Sequence, residues 1–406
     1  MPVVALIGTL DTKGVEYGWL RERLLRTGVD VLVIDAGVAG EPRIPADITR
    51  AEVARAAGAD LARLRAQADR GVSVTEMAKG AEEIVRRLHG QGRLHGVLAL
   101  GGSGGTSIAT RAMRGLPLGV PKLMVSSMAA GDVGPFVGTS DIAMMYSIVD
   151  IAGVNRISAP ILANAADAIA GMAKGYAAAA PAPTDERPLV AATMAGVTTP
   201  GVDAARERLT ELGYEVLVFH TVGPGGRTLE TLAGQGLLAG VLDLTLSELA
   251  DDLVGGHFGA GPDRLRTAGR QGVPQVVSPG ALDMVKFGPL ASLPERFRTR
   301  HVHVHNPAVT VIRTNASECA HLGRGIAAKL RAATGPTALC LPLRGLSSLG
   351  ATGGIYHDPV VDGTLFSALR EGLRGSTVHV REFDTHINDP AFGRATADLL
   401  HRLITG

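Results

Sequence analysis

Short runs of β-branched and aliphatic residues that end in glycine-containing turns are the strongest constraint on the fold of this chain. Residues 3–8 and 29–35 are such runs, and residues 14–27 between them have the periodicity of an amphipathic helix. Continuous apolar runs of this length are typical of strands buried on both faces of a parallel sheet. The order strand, helix, strand therefore predicts a βαβ unit at the N-terminus.

The same pattern continues along the first half of the chain. Residues 45–90 are predicted to be mostly helical, and a strand over 95–100 runs into a turn with four glycines that precedes another helix. A further strand over 121–126 leads into a polar, glycine-rich loop. Such turns between strand and helix are where open α/β sheets bind ligands.

The second half of the chain repeats the order of the first. The matching segments are 28–35 with 213–220, 94–100 with 238–244, and 119–122 with 272–275. Because they occur in the same order, we predict an α/β protein of two Rossmann-like lobes, each a mostly parallel sheet with helices on both faces, with a cleft between them.

Three prolines with small and charged residues give residues 181–188 the composition of a linker. We therefore predict an N-terminal nucleotide-binding lobe over 1–180 and a C-terminal lobe over 189–406 that provides the substrate side. Cys319 and Cys340 have neither metal-ligand nor disulfide spacing, and they are expected to be small core residues.

The composition argues against several classes of function. Lys+Arg 40 against Asp+Glu 39 leaves a formal net charge of +1, and aromatic residues make up only 3%. Neither a positive field nor a base-stacking surface for nucleic acid is therefore expected. No leader sequence and no apolar stretch of about 18 residues is evident, so we expect a cytoplasmic protein with a small-molecule ligand and no membrane partner.

The first motif with chemical potential is Gly8 to Glu16, where the first strand becomes a helix. Its Thr9, Asp11, Thr12 and Lys13 lie at a helix N-terminus, which offers unpaired N–H groups and a partial positive charge. Lys13 adds a full positive charge, and hydroxyls can bind a phosphate or its magnesium ion. Alternatively, Asp11 or Thr12 only caps the helix.

The second motif is a glycine-rich turn that consists of Gly101, Gly102, Ser103, Gly104, Gly105 and Thr106. It lacks the Gly-Lys-Ser/Thr of a Walker loop and the third glycine of a dinucleotide loop, yet its glycines would let the backbone approach a phosphate closely. It also contains the Gly-x-Ser-x-Gly pattern, so a serine hydrolase with Ser103 as nucleophile is a minor alternative.

Other polar residues follow neighbouring strands. Asp35 ends the second strand, where a carboxylate can accept hydrogen bonds from ribose hydroxyls, although an exposed loop aspartate is an equal alternative. Ser127 and Asp132 follow the strand that ends at residue 126 and would reach the same sheet edge. We therefore include all three in the nucleotide site.

The second lobe offers acid–base candidates near predicted strand ends and turns: Glu248, Asp283 and His305. His301, His303 and His305 alternate with valines, so in a strand they would share one face and could bind zinc. A solvated strand face is the favoured interpretation, because no further ligand cluster is evident.

Many ordered segments together resemble one family. They are Gly8–Lys13, Gly101–Thr106, Gly131-Asp132, Asp141–Ser147, Gly196–Pro200, Gly225–Arg227, Ser278–Met284, His305–Pro307 and His386–Pro390. Through them the chain resembles, over nearly its whole length, the Tm-one-like ATP-binding family of bacteria and plants. The resemblance implies two Rossmann-like lobes, ATP on the N-terminal lobe and a homodimer, but it supplies no reaction.

The chain departs from this family's pattern in its second half. Leu246-Ser247 stands where two threonines are usual, Lys286 replaces an asparagine, and Ser348-Leu349-Gly350 lacks an expected acidic residue. The nucleotide motifs are intact. The departures suggest an altered second ligand.

Together these features predict an ATP-binding protein, which we interpret as an ATP-dependent enzyme of phosphoryl or nucleotidyl transfer on a small molecule. Lys13 and the glycine turn would hold phosphates, while Asp11 and Asp132 would position Mg²⁺. The alternative, from a different class, is a nucleotide-binding regulatory or interaction module without turnover.

Overall fold

The computed structural model describes residues 1–179 and 186–406. The chain divides into two compact units, Met1–Pro183 and Thr184–Gly406, which we call the N-terminal unit and the C-terminal unit. Most of the linker predicted at 181–188 lies outside the described residues.

A five-stranded parallel sheet forms the N-terminal unit. Its strands are β1 (Val3–Gly8), β2 (Asp30–Asp35), β3 (Gly96–Gly101), β4 (Lys122–Ser126) and β5 (Ala143–Tyr146). Its helices are α1 (Leu10–Arg26), α2 (Arg50–Ala56), α3 (Leu61–Gln67), α4 (Arg70–Gly90), α5 (Ser103–Arg114), α6 (Gly134–Val137) and α7 (Ser158–Ala178). The strand order is β2-β1-β3-β4-β5.

Alternation of side chains along the strands gives this sheet two cores. Val4 and Leu6 of β1 pack on one face with residues of α1 and α7, whereas Ala5 and Ile7 pack on the other face with residues of α4 and α5. Each fully buried aliphatic side chain contributes about 1.5–3 kcal/mol. The continuous apolar run of β1 is thus explained by burial on both sides.

A larger parallel sheet and a small antiparallel sheet form the C-terminal unit. The strands are β6 (Leu189–Met194), β7 (Glu215–His220), β8 (Gly240–Thr245), β9 (Gln275–Gly280), β10 (Met284–Phe287), β11 (Val302–Asn306), β12 (Val309–Arg313), β13 (Thr337–Pro342) and β14 (His379–Phe383). The helices are α8 (Thr199–Glu211), α9 (Pro224–Gly234), α10 (Ser247–Val254), α11 (Thr267–Arg270), α12 (Ala316–Arg331), α13 (Pro359–Leu373) and α14 (Pro390–Thr405). The six-stranded parallel sheet has the order β14-β13-β9-β8-β6-β7, and β10-β12-β11 form the antiparallel sheet.

Both parallel sheets place their first strand between the second and the third. β1 lies between β2 and β3, and β6 lies between β7 and β8. The chain reverses its direction of winding at this point, and ligands of such sheets bind outside the strand ends there. The predicted α/β fold with two Rossmann-like lobes is confirmed.

Two local findings refine the expectations from the sequence. The first helix begins at Leu10 rather than at residue 14, so Asp11, Thr12 and Lys13 belong to its first turn. Cys319 and Cys340 are buried and form no disulfide, as expected for core residues. Among the described residues no helix combines the length and apolar character needed to span a bilayer.

Candidate functional site

A cavity of about 770 Å³ lies at the point of reversal of the N-terminal sheet. The turn after β1 contributes Thr9, Asp11, Thr12 and Lys13, and the turn after β3 contributes residues 101–105. The opposite wall comes from the loop after β2 and from α3 and α4. This volume lies within the roughly 300–1,000 Å³ of small-molecule sites. The structure therefore brings the two turns that the sequence singled out into one cavity.

The β3–α5 turn exposes backbone N–H groups to this cavity. Its N-cap is Gly102, which has no side chain to cap the helix, so the N–H groups of Ser103 to Gly105 have no intrahelical acceptor. A Cβ on Gly101 would lie 2.9 Å from Cα of Gly105, so the turn needs glycine to close. The result is a positive helix end that suits an anion.

The β1–α1 turn forms a second helix N-terminus on the same cavity. Its N-cap is Thr9, whose Oγ1 lies 2.7 Å from Oγ1 of Thr12 and makes no capping hydrogen bond to the backbone. Lys13 departs from helical dihedral angles, and its Nζ donates to the carbonyl oxygen of Ile151. The capping role considered for Asp11 or Thr12 is not observed.

Asp11 instead ties the loop after β2 to this turn. Its Oδ2 accepts hydrogen bonds from the N–H groups of Ala39 (3.0 Å) and Gly40 (3.1 Å). Its Oδ1 is buried and has no hydrogen-bond partner among the described residues. Asp11 lines the cavity, and a carboxylate oxygen without a partner there fits a Mg²⁺ ligand, since this cation prefers oxygen donors.

Two arginines that no sequence motif indicated lie opposite the glycine turn. Arg65 and Arg70 both line the cavity. Arg65 is engaged with the carbonyl oxygen of Val38 (2.7 Å) and with Glu41 (3.5 Å). Arg70 forms no hydrogen bond or ion pair in the described part of the chain, and its Nη2 lies 3.4 Å from where a Cβ of Gly104 would be. An unneutralised guanidinium thus faces the glycine turn.

Four residues predicted to bind the nucleotide do not line this cavity: Asp35, Thr106, Ser127 and Asp132. Asp35 is buried and accepts from the N–H groups of Leu10 (3.1 Å) and Gly37 (2.9 Å), and burial raises the pKa of its carboxyl. Oγ1 of Thr106 lies 2.7 Å from the Ser126 hydroxyl, and Asp132 accepts from Gly134 N–H (2.9 Å). The side chains of Asp35, Thr106 and Asp132 thus hydrogen-bond to groups of the protein itself.

The hydroxyl of Tyr17 separates the two strands that carry the cavity. It donates to the carbonyl oxygen of Ile7 on β1 and accepts from the N–H of Leu100 on β3 (2.9 Å). The regular pairing of β1 with β3 ends at Ile7 and Ala99. A core side chain thus takes the place of the next hydrogen bond of the ladder.

The serine-hydrolase alternative lacks a histidine base among the described residues at the cavity. Ser103 lines it, but no histidine is among the described residues that do so. A nucleophilic serine needs a general base within hydrogen-bond distance. The arrangement favours anion binding over nucleophilic attack.

The acid–base candidates of the C-terminal unit do not form one site. Among the described residues, no hydrogen bond or ion pair joins any two of Glu248, Asp283 and His305. Glu248 is fully buried and accepts from Gly223 N–H (2.7 Å) and Arg264 Nε (2.7 Å). Its role is to hold the loop before α9.

Asp283 and His305 have contrasting surroundings. Asp283 is fully buried, its Oδ2 accepts from the Ser347 hydroxyl at 2.5 Å, and its Oδ1 has no partner in the described part of the chain. Burial raises the pKa of Asp283 to about 6. His305 is exposed on β11. No group of three metal-ligating side chains occurs within the described residues.

Two of the departures from the family pattern meet in the structure. Lys286 Nζ donates to the Ser247 hydroxyl (2.5 Å) and to the carbonyl oxygen of Thr221 (2.8 Å), and it lies 3.1 Å from Asp251 Oδ2. Ser247 is the first residue of α10, directly after β8. The lysine therefore occupies the strand end that corresponds to the glycine turn of the N-terminal unit.

Comparison with known families gives a consistent result over the whole chain. Residues 2–178 match the model described as "Uncharacterised protein family (UPF0261) N-terminal domain", and residues 187–404 match that of the C-terminal domain. A UPF0261 protein of Clostridium tetani is 46% identical and covers 98% of each chain.

A plant relative matches in part of its length. The ToMV susceptible protein tm-1(GCR26) of Solanum lycopersicum is 40% identical over 81% of this chain, and the match covers 44% of the tomato protein. Among solved structures, UDP-GlcNAc 2-epimerase from Neisseria meningitidis bound to UDP-GlcNAc aligns with all of both chains at 11% identity and a TM-score of 0.24. A TM-score this low supports no inference about fold or function.

Proposed function

This chain belongs to the UPF0261 family, and we propose that its N-terminal unit binds a nucleotide, ATP with Mg²⁺, in the cavity between the β1–α1 and β3–α5 turns. One observation carries the proposal: two helix N-termini and the unneutralised Arg70 converge on one cavity of about 770 Å³. Backbone N–H groups, helix dipoles and a guanidinium are the groups that proteins use for phosphates.

Different residues would bind the phosphates, the magnesium ion and the base. The N–H groups of Ser103 to Gly105 and Arg70 would hold phosphate oxygens, and Asp11 Oδ1 would bind the magnesium ion. Apolar side chains of the opposite wall, such as Leu64 and Val74, would pack against the base. Bound Mg²⁺ would neutralise phosphate charge, which is its usual contribution to phosphoryl transfer.

We further propose that the protein is an ATP-dependent enzyme acting on a small molecule. Electrostatic stabilisation by cations and oriented N–H groups is the main catalytic resource in phosphoryl or nucleotidyl transfer. The chain would then use this set of groups both to bind ATP and to stabilise charge in the transition state.

One observation favours the alternative, a regulatory or interaction module that binds ATP without turnover. The carboxylates that line the cavity already accept backbone hydrogen bonds, so they are less available as general bases. Asp11 accepts from Ala39 and Gly40, Asp69 from Val72, and Asp150 from Ile151. Release of phosphate, pyrophosphate or AMP from MgATP with a panel of metabolites decides between the two. A panel without any release contradicts the enzyme.

The site assignment is tested by substituting Arg70. We expect Arg70→Ala to weaken MgATP binding by about 10–100-fold in calorimetric titration, because a hydrogen bond to a charged group contributes about 1.5–3 kcal/mol. The matched control is Arg86→Ala on the same helix, whose side chain is exposed and pairs with Glu83. Equal affinities of the two variants would show that the phosphates lie elsewhere. Lys13→Ala gives a second reading of the same site.

A further inference from the structure

A second cavity, of about 400 Å³, lies in the C-terminal unit between α10 and α12. Leu249 and Leu253 of α10 line one side, and Leu322 and Ile326 of α12 line the other. Leu253 is 44% exposed although it is a large apolar side chain. The volume of this cavity lies within the range of roughly 300–1,000 Å³ that is typical of small-molecule sites. The cavity is thus an apolar groove that solvent reaches.

A half-buried amine closes one end of this groove. Lys329 Nζ donates to the carbonyl oxygen of Arg264 at 2.6 Å and, more weakly, to that of Pro262 at 3.4 Å. An ammonium group has three N–H donors, so one remains. In the described part of the chain no carboxylate lies within ion-pair distance of Lys329.

The electrostatic surroundings of Lys329 are net unfavourable for its charge. Burial, together with Arg266 and Arg264, lowers the pKa of Lys329 to about 8, although Glu230 and Asp252 act in the opposite direction. Asp252 also lines the groove, but its Oδ2 accepts from Gly261 N–H (2.9 Å). A desolvated amine without a counter-ion gains most from a ligand that supplies a negative charge.

We propose that the groove between α10 and α12 binds a small amphipathic carboxylate, with its aliphatic chain along the leucines and its carboxylate on Lys329 Nζ. Two independent features of the site match this chemistry, namely the apolar walls and the amine that lacks an acidic partner. The proposal concerns a different unit from the nucleotide cavity and does not depend on ATP binding.

Octanoate is the probe for this proposal, titrated calorimetrically into the full-length protein. We expect saturable binding, which Lys329→Met weakens about tenfold or more because a hydrogen bond to a charged group is lost. Methyl octanoate has no charge, so it should bind the unaltered protein about as weakly as octanoate binds Lys329→Met. The affinity for this ester should be the same in both proteins. Absence of octanoate binding, or equal affinity for acid and ester, overturns the proposal.

A variant that blocks the groove keeps the test independent of lysine packing. Gly325 lies on the exposed side of α12 and lines the groove, and a Cβ there would meet nothing within 4 Å. Gly325→Leu should abolish octanoate binding without loss of stability, since leucine favours a helix more than glycine does. The control is Gly171→Leu on α7, an exposed glycine with equally open space. Unchanged binding by Gly325→Leu contradicts the site.

The pH dependence gives a third reading. A bound carboxylate favours the charged amine, so binding takes up a proton once the pH exceeds the pKa of free Lys329, about 8. The affinity for octanoate should therefore fall as the pH rises above 8, by at most about tenfold per pH unit. Lys329→Met should lose this dependence. A pH-independent affinity from pH 7 to pH 10 would exclude Lys329 as the partner.

Discussion

The turn after β3 and the turn after β8 occupy the same place in two similar sheets, but one is open and the other is filled. Counted from the strand end, Gly102, Ser103 and Gly104 correspond to Leu246, Ser247 and Glu248. The three residues of the C-terminal unit are all buried at 0–1% exposure. Side chains occupy the place at which the N-terminal unit has its cavity.

The filled turn satisfies its polar groups internally. Lys286 donates to Ser247, and Glu248 pairs with Arg264, which also binds Asp243 through Nη2 at 2.7 Å. The open turn leaves helix N–H groups and Arg70 without such partners. The comparison teaches that topology determines where a site can lie, whereas the residues of the turn decide whether a ligand or the protein itself fills it.

The largest expected effect is on stability, and it comes from replacing Arg264, the cation that pairs with Asp243 and Glu248 beside the filled turn. Arg264→Met leaves Asp243 and Glu248 buried without their positive partner, so we expect the free energy of unfolding to fall by about 3–5 kcal/mol in urea titrations. Arg344→Met, which breaks an exposed pair with Asp384, should leave stability unchanged. A small loss in Arg264→Met would mean that the buried carboxylates find other partners.

Placing the residue of the filled turn into the open one tests the comparison directly. Gly104→Glu adds a carboxylate beside Arg70 in the cavity, so we expect MgATP affinity to fall about a hundredfold, equivalent to about 2–3 kcal/mol. Gly104→Gln adds a side chain of the same size without a charge, so the difference in MgATP affinity between the two variants measures the effect of the charge. The control is Gly90→Glu at the end of α4, where a Cβ meets no neighbour within 4 Å. Retained affinity in Gly104→Glu would place the nucleotide away from this turn.

The smallest expected effect concerns Asp283, the buried acid of the C-terminal unit. Burial raises the pKa of Asp283 from 3.8 to about 6, so its contribution to stability is complete below pH 3.8 and is lost as the pH rises through 6. Asp283→Asn should therefore reduce the loss of stability between about pH 4 and pH 6, and raise the free energy of unfolding at neutral pH by about 1–2 kcal/mol. Thermal unfolding at several pH values measures this.

A matched variant controls for surface charge in that experiment. Asp384 is exposed, and its hydrogen bonds with Arg344 lower the pKa of its carboxyl. Asp384→Asn should therefore leave the change in stability between pH 5 and pH 6 unaltered. If Asp283→Asn shows the same pH dependence as the unaltered protein, Asp283 does not titrate in this range.

Local patterns sufficed for the sheets but only for one side of the candidate site. The apolar runs at 3–8 and 95–100 predicted β1 and β3, because a strand that is buried on both faces has consecutive apolar residues. Arg70 was missed because residues 45–90 show only helical periodicity, and an arginine in the first turn of α4 has no signature of its own. Its position over Gly104 results from tertiary packing.

Burial of polar side chains was likewise invisible in the sequence. Asp35, Glu248 and Asp283 follow or flank strand ends as catalytic acids often do, yet each is buried and engaged with the protein's own groups. Residues distant in sequence determine whether such an acid is buried and hydrogen-bonded. Lys286 reaches Ser247 from a strand 39 residues away.

Tyr17 makes the width of the cavity in the N-terminal unit a property of the hydrophobic core. Its hydroxyl acts as a spacer between β1 and β3, and the space that its ring fills is the one that a Cβ of Gly8 would need. The separation of the β1–α1 and β3–α5 turns is thus set by a side chain that does not line the cavity. Selection for a ligand of different size could act on this aromatic residue and leave every residue at the cavity wall unchanged.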